Sequence, residues 1–269
     1  MRCFEYRSFC LTAAAILISA IAAGLARAGE PSSSRASSFT IFDNMFYPKK
    51  PSLVADGFKD CNIVYAGYVW QGAEKSPTYG DMPDEATYKK TVQAHSTKPG
   101  PVVLDFETLR LSGKPELVEA HFKLFMTLVK WTHEAAPGHV VGFYGHGLFP
   151  EQPAKEYAQQ ARQLADAVDA FFPSMYTFTE DRDGWKKKAE GLLQQAHQIA
   201  PGKPVYFYIW PQFHGGTHEF LKGDQWAFEL QTARDIGADG VVFWSSSKSP
   251  PWDVNAPWWQ ETLKFLKQQ

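Results

Sequence analysis

The chain has 269 residues, of which 27 are basic and 29 acidic, for a net charge of −2. That balance excludes the basic footprint expected of a nucleic-acid-binding protein. It also weighs against a polyanionic ligand, unless basic groups gather in a local groove that a sum does not show.

Read in chain order, the first feature is an export signal. Arg2 and Arg7 form a short basic start, Phe9 to Leu25 is apolar and uncharged, and Ala26-Arg27-Ala28 is a small-x-small cleavage site. A membrane anchor is the competing reading, but the apolar run of about 17 residues is at the lower limit for spanning a bilayer. We therefore expect residues 1–28 to be a cleaved signal peptide, 29–38 a flexible Ser-rich leader, and 39–269 one domain of about 230 residues, a size that suits a barrel. The expected location is secreted or periplasmic, with no membrane partner after cleavage. The signal peptide holds Arg2, Arg7, Arg27 and Glu5, which leaves 24 basic and 28 acidic residues in the mature chain. It also takes Cys3 and Cys10 with it. Cys61 is then alone, with no His in a recognisable partner motif, and reads as a buried structural thiol.

Strand-like and helix-like runs then alternate. The strand candidates are Phe39–Phe42, Asn62–Tyr68, Pro101–Phe106, Val140–Tyr144, Ala170–Tyr176, Pro204–Trp210 and Gly240–Trp244. Most are continuous apolar runs, as in strands buried on both faces. Between them, Pro115–Ala135 places Leu117, Phe122, Leu124, Phe125, Leu128, Val129 and Trp131 close to one helical stripe. Pro153–Ala167 and Trp185–Ile199 are amphipathic, and Asp224–Ile236 opens with Asp224 at the N-cap and stops at Gly237. Trp258–Leu266 closes the chain as a helix whose tryptophans pack the core. Alternation of this kind implies a parallel sheet with right-handed crossovers. Seven or eight such units predict an α/β fold of (β/α) barrel type, distorted and seven-stranded. A doubly wound open sheet is the alternative, but no Gly-rich phosphate loop follows any strand.

Chemistry in such a barrel sits where the strands end. Those ends form a ring of aromatics, Tyr65, Trp70, Tyr144, Tyr176, Trp210 and Trp244, around one carboxylate pair, Asp105 and Glu107. Residues i and i+2 of a strand share a face, about 6.5 Å apart. Two carboxylates that close disfavour double ionisation, so one should hold a proton near neutral pH. Neighbours on one strand cannot easily flank a scissile bond as an ordinary retaining pair does. They suit substrate-assisted glycoside hydrolysis, with Glu107 protonating the leaving oxygen and Asp105 holding the 2-acetamido group that attacks the anomeric carbon. The aromatics suit sugar faces, although Tyr and Trp also fill barrel cores. His214-Gly215-Gly216-Thr217-His218 reads as a loop with no third ligand spaced for a metal. Ser245-Ser246-Ser247 reads as a polar loop at the rim. No metal or organic cofactor is implied.

Four segments in order resemble the hyaluronidase family, glycoside hydrolase family 56. Gly100-Pro-Val-Val-Leu-Asp-Phe-Glu-Thr-Leu-Arg110 is similar to its Asp-Trp-Glu catalytic strand. Val141-Gly-Phe-Tyr-Gly145, Phe172-Pro-Ser-Met-Tyr176 and Asp235-Ile-Gly-Ala-Asp-Gly-Val-Val-Phe-Trp-Ser245 are similar to later strands of that family. The resemblance implies a distorted seven-stranded barrel that cleaves β-linked N-acetylhexosaminides with retention. It places Glu107 as acid/base, Asp105 as the acid that orients the acetamido group, and Tyr144, Tyr176 and Trp244 as substrate-binding aromatics. The chain departs from the family in Phe106 for Trp, in the missing paired cysteines, in Gly-His-Gly-Leu-Phe-Pro after Tyr144, and in shorter crossovers. These departures bear on which glycan is bound. The competing functions are another barrel glycosidase, chitinase- or lysozyme-like, and a barrel that binds glycans without cleaving them.

Overall fold

The computed structural model describes residues 39–70, 77–145 and 156–268. The expected signal peptide and polar leader lie outside the described residues. Ser38–Gln269 forms one compact unit, and among the described residues no helix is long and apolar enough to cross a membrane.

Strand β1 (Thr40–Asn44) lies parallel to β7 (Gly240–Trp244), which lies parallel to β6 (Tyr206–Ile209). The other edge of β1 pairs with a two-residue strand, β2 (Lys59–Asp60). After Cys61 the same run continues as β3 (Asn62–Tyr65), which pairs with β4 (Val102–Asp105), and β4 pairs with β5 (Val141–Phe143). Residues 170–176 fill the remaining gap through parallel bridges, Tyr144↔Phe172 towards β5, and Phe171↔Val205 and Ser174↔Tyr208 towards β6. The pairings therefore run in a circuit through seven chain segments, all parallel, and the fold is the expected distorted β/α barrel. The 170–176 run makes bridges rather than a full ladder because Pro173 has no N–H to donate. Sequence patterning overstated it as a regular strand, and missed β2, which is short and charged.

Helices fill the outside: α1 (Ala66–Val69), α2 (Glu85–His95), α3 (Pro115–Ala135), α4 (Ala158–Ala167), α5 (Arg182–Ile199), α6 (Gly223–Asp235) and α7 (Pro257–Leu266). Their starts follow local chemistry. Asp84 and Asp181 cap α2 and α5, accepting the amide protons of Thr87 and Gly184 at 2.9 Å each. Pro115 and Pro257 open α3 and α7, where a missing N–H costs nothing. Asp224 is not the cap of α6, as its position in the sequence predicted. It lies in the first turn and pairs with Arg182 at 2.6 Å. Gly237 ends that helix as expected, at φ +90°.

Strand side chains alternate between two interiors, because successive Cβ atoms point to opposite faces. Outward residues such as Leu104, Phe143, Phe207, Val241 and Phe243 join the helix layer. There Trp226 of α6 is fully buried edge-on against Phe243 at 4.9 Å, its indole donating to Thr262 at 2.8 Å, while Trp258 and Trp259 pack α7. Inward residues form a second cluster of Phe42, Cys61, Val103, Phe172, Tyr208, Trp210 and Val242. Gly142 faces inward as well. A Cβ there would stand 2.4 Å from the Ala170 carbonyl and 2.7 Å from the Phe172 ring, so its bare backbone is what seats Phe172. Phe172 stacks on Tyr206 at 5.6 Å, and Tyr206 meets Phe42 edge-on at 5.1 Å. These rings plug the N-terminal end of the barrel, and the polar inward groups gather at the C-terminal end.

Candidate active site

Alternation along each strand decides which side chains reach that mouth. On β4, Val103 and Asp105 face inward while Leu104 and Phe106 face the helices. Strand β4 ends at Asp105, so Glu107 is not on the strand as the i, i+2 argument held. It stands in the turn that follows, exposed to solvent. The two carboxyls thus differ in environment, one half-buried within the barrel and one open above it.

The Asp105 carboxyl is pushed up to about 7, first by burial and then by the negative charge of Glu107. Burial, more than the neighbouring Glu107 charge that the spacing of the pair suggested, is what raises it. Asp105 acts electrostatically on four phenols around it, those of Tyr65, Tyr144, Tyr176 and Tyr208. Burial, with Asp105 adding to it, pushes Tyr65 and Tyr144 up to about 12 and Tyr176 and Tyr208 well above their usual value. All four remain neutral hydrogen-bonding groups at any ordinary pH.

The aromatic wall is continuous. Tyr144 meets Tyr176 at 6.0 Å and Tyr208 at 4.8 Å, and its hydroxyl donates to Ser174 at 3.2 Å. Tyr176 meets Trp244 at 5.5 Å and Trp210 at 6.2 Å, and Trp210 stands edge-on to Trp244 at 4.9 Å. The Trp244 indole points its N–H at the Tyr65 oxygen, 3.5 Å away. Of the predicted site residues, Asp105, Tyr65, Tyr144, Tyr176, Trp210 and Trp244 are brought together, with Glu107 at the rim. Trp70 is not. The chain turns into α1 directly after Tyr65, which carries Trp70 into the helix layer. There its indole donates to the Asp81 carbonyl at 2.9 Å and packs edge-on against Phe106 at 5.4 Å.

Sequence reasoning missed three groups. Tyr208 is fully buried below Asp105 and accepts from the Asn44 side-chain amide at 3.3 Å. Period-2 reading of Tyr206, Tyr208 and Trp210 as one face would have found it. Asn44, two residues after Phe42, follows by the same rule. His214 could be read from the sequence only as part of a loop, yet its ring lies on the Tyr176 ring at 4.8 Å and 5.8 Å from Trp210. Its imidazole is pulled below its ordinary value by burial and by His218, with Glu107 opposing. Ser245 is no rim residue. It is fully buried, and its hydroxyl accepts the Phe46 amide at 2.6 Å. Cys61 is buried as expected, and burial pushes its thiol up to about 12, which keeps it protonated and inert.

No family model matches the sequence, and no curated protein sequence matches it. Solved structures do. Bee venom hyaluronidase superimposes with a TM-score of 0.62 at 16% identity, over 85% of this chain and 96% of that one. Its complex with a hyaluronic acid tetramer gives 0.60 at 16% identity, over 85% and 95%. An engineered protein gives 0.54 at 12% identity, over 80% of this chain and 54% of that one. Over most of both chains, then, the protein is similar in fold to bee venom hyaluronidase.

Proposed function

We propose that the protein is an exported, retaining glycoside hydrolase of hyaluronidase type, acting on glycans that contain N-acetylhexosamine. The observation that carries this reading is the carboxylate pair: Asp105 inside a ring of tyrosines, its carboxyl pushed up to about 7 by burial, two residues from a solvent-open Glu107. A likeness in fold to bee venom hyaluronidase supports it.

The division of labour follows from the two environments. With substrate bound, the pair keeps one proton, on Glu107, and leaves Asp105 ionised; Glu107, at the rim, gives that proton to the glycosidic oxygen as its bond to the anomeric carbon breaks. The carbonyl oxygen of the substrate's own acetamido group forms the new bond to that carbon, and positive charge spreads over the resulting ring. Asp105, inside the mouth, accepts the acetamido N–H and opposes that charge, most strongly where water is excluded. Water then attacks the anomeric carbon and gives its proton to Glu107 as the bond to the acetamido oxygen breaks and the acetamido group is restored, and two inversions return the original configuration. Tyr144, Tyr176 and Trp244 offer flat faces and hydroxyls to the sugar. The two carboxyls act on the substrate and on one water molecule.

The test is cleavage of hyaluronan, chondroitin, chitin oligomers and peptidoglycan by the chain from Gly29 onward, beside its Glu107→Gln variant, with products weighed by mass spectrometry. Saturated products from one substrate are expected, with the rate lowered by about 10²–10⁴-fold in the variant, as for loss of a general acid. Binding of glycans by both proteins with cleavage by neither would replace hydrolysis with a glycan-binding barrel.

A further inference from the structure

Helix α6 buries a carboxyl group that the proposed reaction does not use. Glu229 is fully buried. One of its oxygens accepts the Thr177 hydroxyl at 2.6 Å and the Gln225 side-chain amide at 2.9 Å, while Oε2 is buried with no partner. Gln225 in turn accepts Arg182 Nε at 2.9 Å, and Arg182 pairs with Asp224 at the surface. Burying an unmatched carboxyl oxygen is unfavourable, and an apolar side chain would fill the same space on α6 without that cost. The site to which the group is tied is therefore informative. Thr177 is the residue after Tyr176, is itself buried, and its carbonyl accepts the His214 amide at 2.8 Å. The two residues flanking this anchor meet ring to ring at the mouth, Tyr176 against His214 at 4.8 Å.

We propose that Glu229 is a positioning residue of the active site, acting through Thr177 to hold Tyr176 and His214 in place opposite Glu107. The proposal rests on the mouth being the substrate site. The Thr177 side chain is pinned to α6, and its carbonyl pins the loop after β6, so one carboxyl fixes the separation of two walls that come from different strands. A side chain fixed in this way presents a preformed surface to the sugar, with less ordering left to occur on binding. Burial pushes the Glu229 carboxyl up to about 7, with the hydrogen bonds from Thr177 and Gln225 opposing that rise.

The test uses Thr177→Val, which keeps shape and removes only the hydroxyl, together with Glu229→Leu and Glu229→Gln. Gln retains an oxygen acceptor for Thr177. The first readout is independent of activity: the imidazole titration of His214 followed by NMR, in a mouth where Glu107, His218 and Lys188 also act on that ring. The second is kcat and KM on whichever glycan is cleaved. Thr177→Val and Glu229→Leu should move the His214 titration and raise KM about tenfold, with the melting transition still cooperative. Glu229→Gln should restore both to near the parent values. An unchanged His214 titration in Thr177→Val and Glu229→Leu overturns the proposal. A moved titration in a protein that cleaves none of the glycans leaves the clamp standing and removes the hydrolase reading instead.

Discussion

At the scale of single residues, a site that stores a proton on Asp105 should reduce stability above the pH where that proton is lost. The unfolded carboxyl titrates near 3.8 and the folded one at about 7. Between those values the folded state holds a proton that the unfolded chain has released, so stability falls as pH rises through this window. Above pH 7 the full penalty is present, up to about 4 kcal/mol from the size of the shift. Replacing Asp105 by Asn removes the charge and keeps the shape. The variant should therefore melt several degrees higher than the parent at pH 8, at about 2–4 °C per kcal/mol for a domain of this size, and the same as the parent at pH 4. An equal shift at both values, or a lower melting point at pH 8, would show that Asp105 is not desolvated as described.

At the scale of elements, the barrel depends on close approaches that only glycine allows. A Gly142→Ala change puts a methyl 2.4 Å from the Ala170 carbonyl and into the Phe172 ring, so β5 and the 170–176 run must part. The expected cost is about 1–3 kcal/mol, read as a lower urea midpoint. Gly191→Ala in the middle of α5 meets open space and should raise that midpoint, by up to about 1 kcal/mol of helix propensity. The same contrast explains what the sequence revealed. Strand β7 and helix α3 were legible to the residue, because one is an unbroken apolar run and the other a single apolar stripe ending in polar residues. Helix α2 was not, since only Tyr88 and Val92 are buried in it, and two apolar contacts leave little periodicity to see. Asp105 was legible because its strand was, whereas Glu107 was read onto a strand that ends two residues before it. Trp70 was misplaced because nothing local announces that the chain leaves β3 for α1 after Tyr65. His214 was out of reach for a different reason. Its position is set by a backbone bond to Thr177, 37 residues earlier in the chain, and such a contact exists only once the barrel has formed.

At the scale of the whole molecule, the circuit of parallel pairings begins at Thr40 and is completed by β7 returning to lie beside β1. The register runs from Thr40↔Gly240 to Asn44↔Trp244. Among the described residues, the strand partners of β1 come from Lys59, Asp60 and Gly240–Trp244. An exported chain processed after Ala28 would therefore keep every strand of the barrel and the whole ring of residues at its mouth. The chain beginning at Gly29 should fold with the melting temperature and urea midpoint of the full-length protein, and the Ser-rich leader up to Ser38 should be removable with no further change. In a bacterial host with an intact export system, the full-length chain should be recovered outside the cytoplasm with Gly29 as its first residue, measured by intact mass. A substitution of Ala26 and Ala28 by bulky residues should leave the unprocessed chain in the membrane fraction, since small side chains are what the cleavage site requires. Recovery of the full-length, uncleaved protein from the cytoplasm, folded and with an unaltered melting temperature, would remove export from the proposal while leaving the barrel and its carboxylate pair as they stand.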